Sequence, residues 1–282
     1  MQVIHSPAEI YQLSLDFRAK NYAIGLVPTM GALHKGHFEL INKAKGNCDV
    51  VVVSIFVNPL QFNNQEDLKN YPRNLNQDIE SLSQLGVDIV FAPSEEAMYP
   101  LNPVISLDFG GISSKLEGSF RPGHFAGVGL VVAKLFNLIL PHQAYFGLKD
   151  LQQYLLMRKM IDDLSFQVEI IGVPIVRESS GLAMSSRNQR LSENGKQIAS
   201  HIFQGLKRFK ALLEEGWPVN ETKKRVIDFY KHVNGFKLEY LEAVEPDTLE
   251  EKVKNDGSAI AICVAGYVEG IRLIDNLYLR QY

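Results

Sequence analysis

Two histidines three residues apart, His34 and His37, flank Gly36 in the run Pro28-Thr29-Met30-Gly31-Ala32-Leu33-His34-Lys35-Gly36-His37. The run follows an apolar, strand-like segment (Ala23–Pro28) and opens a helix-like one (His37–Lys45). A helix N-terminus offers unsatisfied N–H groups and a partial positive charge, which suit an anion. Gly36 lets a phosphate come close with no Cβ in the way. Two imidazoles can donate hydrogen bonds to phosphate oxygens as charge builds there. A metal site would need a third His, Cys or carboxylate at a convincing offset, and none stands there. The run is not a Walker loop, and no GxGxxG follows any of the strand-like segments, so hydride transfer is unsupported.

A second polar cluster ends another strand-like run: Tyr145-Phe146-Gly147-Leu148-Lys149-Asp150-Leu151-Gln152-Gln153. Lys149 can neutralise a phosphate. Asp150 can accept from a ribose hydroxyl or cap the helix that follows. A third cluster, Met184-Ser185-Ser186-Arg187-Asn188, places two hydroxyls and a guanidinium in one loop, the composition of a phosphate clamp. Gln61, in Val57-Asn58-Pro59-Leu60-Gln61-Phe62, and Gln153 are amides. They read hydroxyls and carboxylates without adding charge, which suits a small hydroxy acid.

Five runs must position these groups: Ala23–Pro28, Val50–Val57, Val87–Ala92, Ala144–Gly147 and Val168–Val173. Each is apolar almost throughout, as strands buried on both faces are. Helix-like stretches lie between them (His37–Lys45, Leu75–Leu85, Val128–Leu140, Leu151–Leu164). The alternation predicts an α/β fold with a Rossmann-like, doubly wound parallel sheet. In such a sheet the chain reverses after its third strand, the fourth lies beside the first, and ligands bind outside the carboxyl ends at that switch. The expectation is therefore that His34 and His37 face Lys149 and Asp150 across one crevice. The long irregular segment 93–127 has the size of a functional loop.

Composition changes near Pro174. Glu193–Glu214 has Ile198, Ile202, Leu206, Phe209 and Leu213 at helical spacing, with Ser192 as its cap. A second helix is predicted over Val219–Val233, then strands over Leu238–Val244, Ala259–Val264 and Ile271–Leu279. This predicts residues 1–173 as a nucleotide- and substrate-binding domain. Residues 174–282 would form a smaller α+β C-terminal domain covering the site and able to bring Arg187 over the crevice.

Of the 282 residues, 46% are hydrophobic and 22% charged, enough for a sizeable core. The net charge of −3 lacks the concentrated basic surface that nucleic acid requires. Met1 to Arg18 has no basic start followed by an apolar block, and Val128–Leu140 contains Lys134 and is too short to span a bilayer. The two cysteines, Cys48 and Cys263, read as free thiols in a reducing compartment. A soluble cytoplasmic protein with no membrane or nucleic-acid partner is expected.

The stretches PTMGALHKGH (28–37), SIFVNPLQF (54–62), RPGHFAGV (121–128), AYFGLKDLQQ (144–153), GLAMSSRN (181–188) and IRLIDN (271–276) together resemble the pantoate–β-alanine ligase family, over nearly the whole chain. HxGH alone would indicate only the wider nucleotidylyltransferase superfamily. The resemblance implies ATP-dependent joining of pantoate to β-alanine through a pantoyl-adenylate. It implies ATP contacts at Met30, Gly31, Ala32, Leu33, His34, Lys35, Gly36 and His37, at Gly147, Leu148, Lys149 and Asp150, at Val176, and at Met184, Ser185, Ser186 and Arg187. His37 is implied as proton donor to the transferring phosphate, with His34, Lys149 and Arg187 offsetting charge. Gln61 is implied to touch pantoate and β-alanine, Gln153 pantoate, and Asn58 the same substrate site. A Mg²⁺ requirement and a homodimer are also implied. Leu148 departs from the family, whose members often carry a polar residue there.

Overall fold

Val50–Ile55 is apolar at successive positions because both of its faces are covered. Val50 and Val52 join one core cluster with Leu26, Ile89 and Phe91, while Val51 and Val53 join another with Val27 and Val90. Side chains alternate across a strand, so a sheet with a core on each face needs apolar residues at every position. The computed structural model describes residues 1–279 and contains two compact units. The first comprises Met1–Leu148 and Gln153–Pro174; the second comprises Lys149–Gln152 and the described residues from Ile175 onward.

In the first unit lie six strands: β1 (Gln2–Ile4), β2 (Ile24–Thr29), β3 (Val50–Ile55), β4 (Ile89–Phe91), β5 (Gln143–Gly147) and β6 (Glu169–Val173). They pair in the order β1-β4-β3-β2-β5-β6, every pair parallel. The expected reversal is present: β5 lies beside β2, with Leu26 opposite Ala144. β1 lies outside the predicted strands, because three residues at a sheet edge carry too little pattern to read. The segment 93–127 is less irregular than expected. It holds short helices at Glu95–Met98 and Leu116–Phe120 and a 3₁₀ turn at Gly110–Ser114, and Leu107, Phe109 and Ile112 pack against the core. Helix His124–Ile139 begins before the predicted Val128, with Gly123 in the left-handed region (φ 78°) turning the chain into it.

The second unit has helices Glu193–Glu214 and Val219–Lys231 and an antiparallel sheet of β7 (Phe236–Val244), β8 (Ile260–Val268) and β9 (Ile271–Leu279), in that order. The first helix has the predicted bounds, and its Ser192 Oγ accepts from the Gly195 amide at 2.9 Å. Ile202, Leu206, Phe209 and Leu213 form one core with Ile262, Val264 and Leu273 of the sheet. Among the described residues no helix is long and apolar enough to cross a membrane.

Candidate active site

The loop after β2 is held in a conformation that local sequence alone would disfavour. Gly31 and Ala32 both have positive φ, 78° and 50°. For alanine that region costs about 1–2 kcal/mol. Asp78, buried on helix Leu75–Gln84, compensates by accepting from the amides of Ala32 (2.9 Å) and Leu33 (2.8 Å). A Cβ at position 31 would lie 2.9 Å from Asp78 Oδ2, so only glycine lets the carboxylate come this close. Burial pushes the Asp78 carboxyl up, and the Leu33 and Ala32 amides pull it back. Thr29 Oγ1 completes the brace, donating to the Ser54 carbonyl at 2.7 Å and accepting from the Gly31 amide at 3.1 Å.

The loop delivers His34 to the N-cap of helix Lys35–Lys45. His34 Nδ1 accepts from the Gly36 amide at 3.1 Å, and His37 Nδ1 accepts from the His34 amide at 3.3 Å. The rings stack obliquely, with centroids 4.0 Å apart. With each Nδ1 accepting, each neutral ring carries its proton on Nε2. The pair therefore presents two N–H donors at a helix N-terminus, an arrangement suited to an anionic oxygen.

A second brace holds Gln61. Asn58 caps the 3₁₀ turn Pro59–Gln61 and is almost fully buried. Its Nδ2 donates to Gln61 Oε1 (3.2 Å) and to the Gly127 carbonyl (3.0 Å); its Oδ1 accepts from the Tyr99 hydroxyl (3.0 Å). Burial, with Glu95 nearby, pushes Tyr99 up to about 12, which keeps the hydroxyl protonated as that donor. Gln61 Nε2 reaches Met30 Sδ at 2.9 Å, linking this turn to the loop after β2. His124 clamps the turn from helix His124–Ile139. Its Nδ1 bonds the Gln61 carbonyl at 2.8 Å, so Nδ1 is the protonated nitrogen, and Nε2 accepts from Arg121 Nη1 at 3.0 Å. Gly127 lets the helix approach, since a Cβ there would lie 2.3 Å from the Leu60 carbonyl oxygen. A cleft of about 290 Å³ opens at the carboxyl ends of β2, β3 and β4, lined by Met30, Gly31, Phe56, Arg73, Asp78 and Glu95 among others.

Gly147 ends β5, and Leu148 packs over Gly172 of β6, where a Cβ would lie 2.7 Å from Leu148 Cδ2. A hydrophobic residue at 148 thus packs on the neighbouring strand. Gln153 lies, half-buried, on helix Leu151–Asp163.

In the second unit, Lys149 Nζ lies 3.9 Å from Asp150 Oδ1. Val176 and Met184 are joined by the Met184 amide donating to the Val176 carbonyl at 2.9 Å. Ser185 caps the 3₁₀ turn Ser186–Arg190, its Oγ accepting from the Arg187 amide at 3.3 Å. Asn188 Nδ2 fastens the turn to Glu178 Oε1 and the Ala183 carbonyl, both at 3.0 Å.

Sequence reasoning missed Asp78, His124, Arg121 and Asn276 as supports. Asp78 left one signal: it stands four residues before the buried Leu82, on the same helix face. His124 and Arg121 left none beyond membership of RPGHFAGV.

Residues 2–278 match the sequence pattern of a family described as pantoate-beta-alanine ligase. The pantothenate synthetase of Cytophaga hutchinsonii is 46% identical over 279 residues, covering 97% of this chain and 99% of that protein. That of Thermodesulfovibrio yellowstonii is 45% identical over 281 residues, covering 99% and 100%. The crystal structure of pantothenate synthetase from Thermus thermophilus superposes with a TM-score of 0.91 at 41% identity, covering 98% of this chain and 99% of that one. The structure of pantoate-beta-alanine ligase from Francisella tularensis, complexed with beta-gamma ATP and beta-alanine, gives 0.82 at 38% identity, covering 98% and 97%.

Proposed function

The chain belongs to the pantoate–β-alanine ligase family, and from that premise we propose how it works. It is an ATP-dependent ligase that makes pantothenate from pantoate and β-alanine. In the first step a carboxylate oxygen of pantoate attacks the α-phosphorus of ATP. The bond to the bridging oxygen breaks, and pyrophosphate leaves with its electron pair. In the second step the amine of β-alanine attacks the acyl carbon of pantoyl-adenylate, the bond to the AMP phosphate breaks, and the amine gives up a proton.

An anion must approach a polyanion in the first step, so fixed positive groups and donors must offset the repulsion. The observation that carries this reading is the His34–His37 pair at a helix N-terminus, each Nδ1 accepting from a backbone amide so that Nε2 is the nitrogen that donates. His37 takes the role of donor to the transferring phosphate, and His34 supports it. Lys149 and Arg187 carry the remaining positive charge. Met30 to Leu33, Lys35, Gly36, Gly147, Leu148, Asp150, Val176 and Met184 to Ser186 complete the ATP contacts. Gln61 and Gln153 hold pantoate, Gln61 also touches β-alanine, and Asn58 stands behind Gln61.

The division near Pro174 into a binding domain and a smaller covering domain belongs to the same proposal, as do a homodimer and a cytoplasmic location. So does Mg²⁺. Among the described residues no group of three or more His, Cys, Asp or Glu is placed to hold a metal ion. A Mg²⁺ ion held by the phosphate oxygens of ATP would neutralise charge there. The test is AMP release from Mg-ATP with pantoate, with and without β-alanine. AMP in equal amount to pantothenate, requiring both substrates, is the expected result. ATP bound and never cleaved would overturn it.

A further inference from the structure

The motif Ile271–Asn276 contributes nothing to the chemistry above, yet its last two residues are almost fully buried and polar. Asp275 accepts from Arg177 at two points, Nη1 at 2.6 Å and Nη2 at 3.0 Å, and its Oδ1 also accepts from the Asn276 amide at 2.8 Å. A buried carboxylate is tolerated when paired in this forked way. Burial pushes the Asp275 carboxyl up; the Arg177 bonds, and more weakly the charge of Lys149, pull it back. Arg177 is itself fixed by donating to the carbonyls of Gly181 (3.1 Å) and Asn276 (3.2 Å), and its guanidinium lies 3.7 Å from the centroid of the Phe203 ring. Arg177 pairs with Ala183, and Val176 with Met184. One side of this network thus sets the strand pair that leads into Met184–Arg187.

The other side reaches Lys149. Asn276 Nδ2 donates to the Lys149 carbonyl at 2.9 Å, across 127 positions of sequence. Fixing that carbonyl fixes the plane of the 149–150 peptide, one of the two peptide planes that meet at the Lys149 Cα, and so narrows the directions in which the lysine side chain can leave the backbone. Gly147, two residues earlier, has no side chain and nothing within 4 Å of where a Cβ would stand, so no side-chain packing at that position helps to hold the base of Lys149. A lysine on a four-carbon stem gains most from a fixed base, because the stem is already rich in rotamers.

We propose that Asn276 is a positioning residue for the ATP step, acting through Lys149, with the Asp275–Arg177 pair as its rigid mount. The proposal rests on the reading of Lys149 as a phosphate ligand. A polar residue that merely stabilises β9 would have no special relation to Lys149.

A double-mutant cycle separates the two. Asn276→Ala, Lys149→Met and the double variant are assayed for kcat and for the KM of ATP in pantothenate formation, alongside Tm. Asn276→Leu, close in volume, serves in the same cycle if the alanine variant does not fold. Losing one neutral hydrogen bond is expected to lower kcat/KM for ATP by about tenfold in the wild-type background, with the pantoate KM little changed. In the Lys149→Met background the same substitution should have less than about a twofold effect. An equal loss in both backgrounds, or wild-type kcat/KM for Asn276→Ala, would overturn the inference and leave the ligase reading standing. Wild-type kcat/KM for Lys149→Met would remove Lys149 from the ATP site and overturn the inference together with its premise, while the ligase reading stands.

Discussion

The loop at His34–His37 and the cluster around Lys149 and Met184–Arg187 are proposed to carry the same kind of chemistry and are built in different ways. In the first, the two imidazoles order each other across three residues, by reciprocal bonds to the start of the helix they cap. In the second, short local turns are tied down by bonds between residues far apart in sequence, Arg177 to Asp275 and Asn276 to Lys149. The first site is a local motif braced from a distance by Asp78 and by the Thr29–Ser54 bond. The second is a set of short loops hung on a C-terminal strand. Local order costs little loop-closure entropy, whereas distant order exists only once the unit has folded.

This contrast can be broken at three points. The largest effect is expected at the local motif. His37→Ala should lower kcat by about 10²–10⁴, the usual contribution of a positioned proton donor, with Tm nearly unchanged. An equal collapse of ATP binding and Tm would make His37 a structural residue and erase the distinction between the two regions. Next comes Asp78, a distant brace of the local site. Asp78→Asn keeps one acceptor but turns an NH₂ group toward backbone donors, so stability should fall by about 1–3 kcal/mol. Turnover should fall with it, because the positive-φ turn at Gly31 and Ala32 loses its tether. A lower Tm with unaltered kcat would mean that the histidine pair orders itself without Asp78, sharpening the contrast. The smallest effect is expected at Gln153, an amide on a helix that makes a single kind of contact in the proposed pantoate site. Gln153→Ala should raise the pantoate KM by about tenfold, one hydrogen bond's worth, and leave the KM of ATP alone. An unchanged pantoate KM would take Gln153 out of that site.

The same contrast explains what could be read beforehand. β2 to β5 were legible because strands buried on both faces must be apolar at nearly every position, β6 because it is a largely apolar run although it lies at the sheet edge, and the helix Glu193–Glu214 because its apolar stripe repeats at helical spacing behind a serine cap. β1 was too short to show a pattern. The turns inside 93–127 lacked a period, although Leu107, Phe109 and Ile112 bury themselves there. Of the supports around the candidate site, Asp78 was visible in principle as a carboxylate on an apolar helix face. Asn58, in plain view next to Gln61, gave no hint that its whole amide is engaged by Gln61, Gly127 and Tyr99.

By itself, then, the sequence determined the parallel sheet and the presence of a histidine pair at the start of a helix, from periodicity and from neighbours a few residues apart, and the reversal that puts β5 beside β2, from the rule that governs doubly wound sheets. Only the tertiary structure decided which nitrogen of each histidine holds the proton, which glycines exist to admit Asp78 or the helix carrying Gly127, and that Asn276 reaches Lys149. Hydrogen bonds between distant residues have no period and no fixed spacing, so they leave no mark on the chain until the fold brings their partners together.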